Sequence, residues 1–447
     1  MQERHMFSNA DLKRLLLPLI IEQLLNSLMG TVDTIMVSNV GAAAMSAVSL
    51  VDSINVLFIQ AFSALAAGGC IICSQYVGRN DLKTANRAAK QLLLVVFSIS
   101  MVITGVCLLT NVRLLRLVFG KVEADVMEAA VTYFSYTSVS FPFIALYSAG
   151  AAIYRAQGNS RRPMNISILS NLINIAGNAI LIWGIRMGVA GVAIATLTSR
   201  AFCAIVVLRQ LHKPGQMITI EKYHEIRPDR NLIGKVLGLG IPAGIENSMF
   251  QFGKLMIQST VSAMGTVAIA AQAMTGILEG LSGVAASAVG SGLVTVVGQC
   301  MGAGREDDAI YYVKKFCVIS EVIIIASSLF VLGITKPVTM IAAMEPESAA
   351  LCFQMIFWIT VFKPIVWVGS FTVVQGIRAA GDVKYVMVVS TVSMWICRVS
   401  LCIFLARYFG MGPMAVWIGM FVDWGVRGIF FFGRFHSRKW LRHKVIS

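Results

Sequence analysis

The amino-acid sequence predicts an all-α integral membrane protein, with twelve transmembrane helices in two pseudo-symmetric six-helix bundles. Three observations carry this. The 447 residues are 57% hydrophobic and 13% charged, and the mean hydropathy of +0.76 is too high for a chain that folds in water. Apolar stretches long enough to cross a bilayer recur twelve times. The first half of the chain also reappears, position by position, in the second.

A bilayer core takes about 20 residues of helix. Stretches of this kind run at 15–38, 47–76, 91–112, 129–153, 165–184 and 189–208, then at 236–258, 268–298, 316–335, 351–376, 386–406 and 414–433. The first 14 residues are polar. The run behind them holds Pro18, Glu22 and Gln23 without a small-residue cleavage site, so it reads as a first span and not a cleaved signal. A formal charge of +15 raises nucleic acid as a partner, but its distribution argues against one. With a cytoplasmic N-terminus, 26 of the 37 Lys and Arg residues lie in the tails and even-numbered loops and 6 in the outer loops. The other 5, Arg200, Lys254, Lys363, Arg398 and Arg427, lie in spans. This bias puts both termini in the cytoplasm. The chain then divides into a tail (1–14), a first lobe (15–208), a cytoplasmic linker (209–233), a second lobe (234–433) and a basic tail (434–447).

Catalytic spacing is not visible. The nine Cys residues sit in spans or at their ends, where a thiol behaves as a small hydrophobe, and Cys70 with Cys73 is a CxxC lacking a second pair. The five His residues show no metal spacing, and neither a phosphate loop nor a nucleophile elbow is present. We therefore expect no enzyme and no cofactor.

The repeat has an offset of 224. "PLIIEQ" (18–23) lies over "PAGIEN" (242–247), pairing Pro18 with Pro242 and Glu22 with Glu246. Gly41 pairs with Gly265, Gln75 with Gln299, Gly78 with Gly302 and Ala85 with Ala309. The register slips to 223 for "YRAQGNS" (154–160) and "IRAAGDV" (377–383), matching Arg155 to Arg378, and returns to 224 at Met187 and Met411. Six spans per unit bring the chain back to its starting side. The halves are thus parallel repeats, an arrangement that suits two bundles facing a shared cleft.

On a helix, Pro18, Glu22, Asn26 and Asp33 fall at roughly 0°, 40°, 80° and 60°, and Asn171, Asn174 and Asn178 share an arc of about 60°. Such stripes must face protein or water, because each unpaired polar group facing hydrocarbon costs about several kcal/mol. The repeat is a control for structural need. Across it Asp33 maps to Ile257, Asn174 to Cys397, Asn178 to Leu401 and Thr196 to Met420, all of them apolar or nearly so. The fifth-span pairs depend on where the slip ends, since an offset of 224 puts Arg398 opposite Asn174; the Asp33 pair does not. Polarity kept once marks a site, with Asp33 its strongest member. Glu22 and Glu246, kept twice, read either as acids facing the cleft and drawing in a cationic substrate, or as partners local to a proline kink. Asp52, Glu279, Glu321 and Asp423 are weaker candidates, of which Glu279 in "GILEGLSG" is the best. Asp423 and Arg427 have salt-bridge spacing, and Lys363 and Arg398 are expected to pair with these acids while leaving an anionic or zwitterionic substrate open.

The Pro18 span ending in "VDTIMVSNVG", the loops "QYVGRNDLKTA" and "QCMGAGREDDA", and the pair "YRAQGNS" and "IRAAGD" resemble the multidrug and toxic compound extrusion (MATE) family. The resemblance covers nearly the whole chain. It implies a twelve-span, ion-coupled exporter of amphipathic, cationic, drug-like small molecules, acting as a monomer in the bacterial inner membrane. It also implies a coupling-cation site at Asp33, Asn174, Asn178 and Thr196, for a proton or for sodium, in which case Asp33, Asn174 and Asn178 are the metal ligands. Many relatives carry Asp at the position of Asn178, so this chain has one carboxylate fewer. Substrate-cleft candidates are Glu22, Asn26, Glu246 and Glu279. An acid described for one branch on the seventh span matches Phe250 by its distance from the proline, with Glu246 a turn earlier. Rival readings are a lipid-linked oligosaccharide flippase, which often has 14 spans and a cationic cleft, and a non-transporting scaffold or receptor.

Overall fold

The computed structural model describes residues 5–120, 123–223, 226–443 and 445–446, with the side chains of residues 30, 31, 33 and 34 outside the described set. No strand occurs among the described residues. The first half contains α1 (Asn9–Ser38), α2 (Ala42–Gly78), α3 (Leu82–Phe119), α4 (Ala124–Val139), α5 (Phe141–Ala156), α6 (Arg161–Asn178) with a π-helical extension Ala179–Gly184, and α7 (Val189–Leu211). The second contains α8 (Arg230–Ser262), α9 (Thr266–Gly302), α10 (Glu306–Ile341), α11 (Pro346–Phe371), α12 (Val373–Ala379) and α13 (Val383–Ser393). A π-helical segment Met394–Ser400, α14 (Leu401–Tyr408) and α15 (Met414–His436) complete it.

These elements group into the expected twelve rods. Among the described residues nine helical rods are long and apolar enough to cross a membrane, and α4 with α5, bent by 43° at their junction, makes a tenth. The other two are α1 and α8, which open the two halves and enclose Pro18 and Pro242. Proline removes a backbone donor and crowds the preceding turn, so both rods start with a built-in weak point. Surfaces turned outward are as apolar as the interior: Val318, Val322, Ile325 and Leu329 on α10 are all exposed, at spacings that keep them on one face. Only lipid makes such a face inexpensive.

The chain forms two compact units, Asn9–Gly244 and, together with the residues up to Ser8, Ile245–Ser447. The division falls inside α8 and not in the linker. Its early turns lie against α2, where a Cβ on Gly68 would come within 2.9 Å of the Gly240 backbone nitrogen. The linker between α7 and α8 packs on the first unit too. Ile218 and Ile220 are fully buried. Gln91 of α3 donates to the Arg227 carbonyl at 2.8 Å and accepts from Asp229 N–H at 3.0 Å. Helix α1 begins at Asn9, within the stretch expected to be tail. Ahead of it the His5 ring stacks on Tyr311 of α10 at 3.8 Å and lies 2.9 Å from Asp308, which ties these residues to the second unit.

Backbone geometry confirms the repeat without reference to side chains. Every left-handed residue among the described ones has a partner in the other half. Gly41 pairs with Gly265 and Asn80 with Gly304 at 224; Gly120 with Ala343 and Gly158 with Gly381 at 223; Arg186 with Gly410 and Gly188 with Gly412 at 224 again. Gly215 and Arg438, beyond the last rod of each half, complete the set. The register is therefore lost within α3 and α10 and regained within the fifth rod. There the serine hydroxyls Ser170 and Ser393, still at 223, make the same bond: Ser170 to the Ser199 carbonyl at 3.1 Å, Ser393 to the Asp423 carbonyl at 3.3 Å. The π-helical segment Met394–Ser400 starts one residue later. The first half has its own π-helical segment, Ala179–Gly184, and wider turns of this kind take up a residue without breaking the rod.

Ala343 holds φ +48° where its partner is Gly120 at +66°. A left-handed alanine costs about 1–2 kcal/mol, more than the entropy that glycine adds to the unfolded chain. Ala343→Gly is thus expected to raise the melting temperature of the purified protein by an amount equivalent to about 0.5–1 kcal/mol. A lower melting temperature would contradict the strain assigned to this turn.

Candidate functional site

In the first unit α1 packs along α6 through polar groups. Asn26 Oδ1 accepts from Ser167 Oγ at 2.8 Å and from Asn171 Nδ2 at 3.0 Å. Further along α6, Asn178 Nδ2 donates to Asn174 Oδ1 at 3.2 Å, and Asn178 is fully buried. These asparagines share a helix face because they sit one and two turns apart. Helices α1 and α6 open the first and fifth rods, so they run in the same sense. Seven residues past Asn26 on one rod and past Asn171 on the other, the backbone of Asp33 stands level with Asn178. The Asp33 side chain lies outside the described residues.

Small residues bring α7 to the same place. A Cβ on Gly177 would lie 3.0 Å from the Ala195 Cβ, so α6 and α7 touch one residue away from Asn178 and Thr196. Thr196 is buried, and its carbonyl accepts from Ser199 Oγ at 2.9 Å. Asn174, Asn178 and Thr196 thus meet near one stretch of α6, with Asn26 and Asn171 about two turns away along the same face.

Glu22 and Glu246 each meet an arginine of their own unit. Glu22 Oε1 is 2.9 Å from Arg155 Nη2, and Glu246 Oε2 is 2.6 Å from Arg378 Nη2. Both acids are buried and both arginines are about a quarter exposed. The four residues occupy equivalent repeat positions, so the same tie joins the first rod to the end of the fourth in each half. Residue-by-residue inspection missed these partners, although the repeat had already matched Arg155 to Arg378. A doubly kept acid beside a doubly kept base was the available signal.

The second unit adds pairs that the first lacks. Glu279 Oε1 lies 2.7 Å from Lys363 Nζ, which also donates to Ser282 Oγ at 2.6 Å and to the Glu279 carbonyl at 3.1 Å. Lys363 is fully buried. Asp423 is 2.5 Å from Arg398 Nη2 and 3.2 Å from Arg427 Nη2, and its other oxygen accepts from Ser393 Oγ at 2.7 Å. In the first half the positions of Glu279 and Lys363 are held by Asn55 and Ser140. Asn55 donates to Asp52 at 3.1 Å, Tyr133 donates to the same carboxylate at 3.2 Å, and Ser140 Oγ accepts from Arg200 Nη1 at 2.7 Å. Ile257, opposite Asp33, is an ordinary member of the second unit's apolar core with Trp417 and Trp424.

A six-rod bundle duplicated along the chain, with its charges held between the rods, is the architecture of a polytopic membrane transporter. The chain belongs to the MatE family, whose sequence model matches twice, over residues 18–180 and 242–404. It is 27% identical over 432 residues to the Uncharacterized transporter YisQ of Bacillus subtilis (strain 168), covering 95% of this chain and 93% of that one. To the Probable multidrug resistance protein NorM of Thermotoga maritima it is 24% identical over 444 residues, covering 98% and 94%. Among solved structures, one described as the outward-facing conformation of a multidrug resistance MATE family transporter of the MOP superfamily superposes with a TM-score of 0.89. It does so at 19% identity, over 96% of this chain and 95% of that one. The family expected from the motifs, the all-helical two-lobe fold and a multi-pass membrane protein are thereby established.

Removing one member of a buried pair strands the other. Arg155→Met is expected to destabilise the protein by about 3 kcal/mol, while the double variant Glu22→Gln with Arg155→Met recovers most of that loss. Melting of the purified proteins measures both; equal losses in the single and double variants would deny the pair its role as a tie.

Proposed function

We propose that this protein is a secondary active multidrug exporter that couples inward movement of a proton or sodium ion to efflux of amphipathic, cationic small molecules. It acts as a monomer in the bacterial inner membrane, by alternating access, with both termini in the cytoplasm. The observation that carries this reading is the amide ladder of α1 and α6, present in one half of a duplicated bundle and not repeated in the other. Relatives described as multidrug resistance proteins support the substrate class, and the family supports transport itself.

The chemistry of the ladder suits coupling. A lone carboxylate between spans is expensive when charged and far less so when a proton or cation neutralises it. Loading Asp33 therefore changes what it costs to close α1 onto α6. Asn174, Asn178 and Thr196 supply neutral oxygens that hold sodium without a second charge, whereas Asp33 alone suffices for a proton. A ligand shifts such an equilibrium only by its difference in affinity for the two states. Ion and substrate oppose each other when they favour different packings of the same rods, and that opposition is antiport.

The test is efflux of a cationic dye from a drug-sensitive host expressing wild type or Asp33→Asn at matched levels, under imposed proton or sodium gradients. Wild type is expected to respond to one gradient and Asp33→Asn to neither. Full gradient-dependent efflux by the variant removes Asp33 from the coupling site. Proteoliposomes given one gradient at a time distinguish the two ions.

A further inference from the structure

The second unit holds a positive charge that its own carboxylates do not offset. Asp423 lies between Arg398 and Arg427, and the side chains of the three are 0%, 4% and 3% exposed. Arginine stays protonated in proteins, so the trio carries a net charge of +1 away from water. The surroundings do not correct this. Among the charges felt by Arg427, Glu246 and Arg378 form their own neutral pair. Glu279 is engaged by Lys363. Lys254 of α8 adds a further positive charge within range of Arg398.

The hydrogen bonding has the same bias. Arg398 Nε, Arg427 Nε and the indole Nε1 of Trp424 are buried with no acceptor in the protein. All three are donors. Aromatic rings surround them: Phe250 lies 5.1 Å from the Arg398 guanidinium and 5.2 Å from that of Arg427, Phe371 is 5.0 Å from Arg427, and Trp424 is 6.0 Å from Arg398. Ring faces offset part of a cation's charge, but they do not replace an oxygen acceptor. Phe250 is only partly buried, which makes it the thin side of the cluster.

Helix packing does not explain the charges. The first unit has Ser199 and Cys203 at the positions of Asp423 and Arg427, yet its fifth and sixth rods keep the same serine-to-carbonyl bond. Rods that join in the same way without charges leave the charged version free for another task. We propose that Arg398, Arg427 and Trp424 receive the anionic group of a transported molecule, so that the substrates include aromatic amphiphiles bearing a carboxylate. The inference rests on the exporter reading for transport, but not for binding.

The experiment titrates the purified full-length protein with 1-pyrenebutyrate and with its uncharged methyl ester, without any ion gradient. Wild type is expected to bind the carboxylate about tenfold or more tightly than the ester. Arg427→Gln removes the excess charge and leaves Asp423 paired with Arg398, and it is expected to lose that preference, while Arg427→Lys retains part of it. Phe250→Glu places a carboxylate beside both guanidinium groups. It is expected to abolish the preference while raising the melting temperature, a combination that a merely structural cluster does not produce. No preference in wild type overturns the proposal, as does an undiminished preference in Arg427→Gln or Phe250→Glu. Absence of gradient-driven dye efflux with the preference intact overturns the exporter reading alone.

Discussion

A charge inside the hydrocarbon layer must be answered from within the protein, and this constraint organises both units. Water is absent there, and lipid tails do not favour one helix contact over another, since they are as apolar as a leucine. Specific helix pairing therefore falls to polar ties and to places where small residues let backbones approach. Glu22 with Arg155, Glu246 with Arg378 and Glu279 with Lys363 each join rods that are not neighbours in sequence, and Asp423 with Arg398 joins the last two. Gly68 against Gly240 and Gly177 against Ala195 provide the close approaches. A buried pair is not a large net gain over a well-packed apolar contact. Its force is selective, because any other arrangement of the rods leaves a charge stranded.

Duplication separates what the bundle needs from what it does. Features kept in both halves are architectural: the left-handed turns, the serine bond between the fifth and sixth rods, and the glutamate–arginine ties. Kept once are the amide ladder of α1 and α6 in the first half and the Lys363, Arg398 and Arg427 positions in the second. The ties of Glu22 and Glu246 change how these acids read. Each is engaged by its own arginine, and the pairing recurs where the rest of the local chemistry has diverged, which fits a latch beside a proline-weakened helix.

Most of the architecture was legible in the sequence because the solvent imposes it. Hydropathy alone marks twelve rods, and the repeat marks two bundles. Lys363 and Arg398 read as partners for intramembrane acids because an unpaired lysine or arginine there is so costly; Glu279 and Asp423 are those acids. Three things were less visible. The unit boundary lies in α8 because Gly240 lets it press on α2, a contact between residues far apart in sequence. The π-helical segments Ala179–Gly184 and Met394–Ser400 have no signature in composition, since a wider turn uses the same apolar residues. The Glu22–Arg155 tie depends on how the first and fourth rods meet, which hydropathy does not encode.

The two halves now differ in the kind of polarity they keep, and the difference has a physical reading. Amides and hydroxyls make a soft environment: they stabilise a cation through neutral dipoles and add no charge of their own. Guanidinium groups crowded around one carboxylate form a hard site, whose positive excess persists in every protonation state near neutrality. A soft acidic site suits an ion that must load and unload in each cycle. A hard basic site suits a group that is recognised and not titrated. Amphipathic molecules carrying both an amine and a carboxylate present both charges at once. A duplicated bundle that diverged in this way gains two kinds of polar environment without adding a helix to the fold.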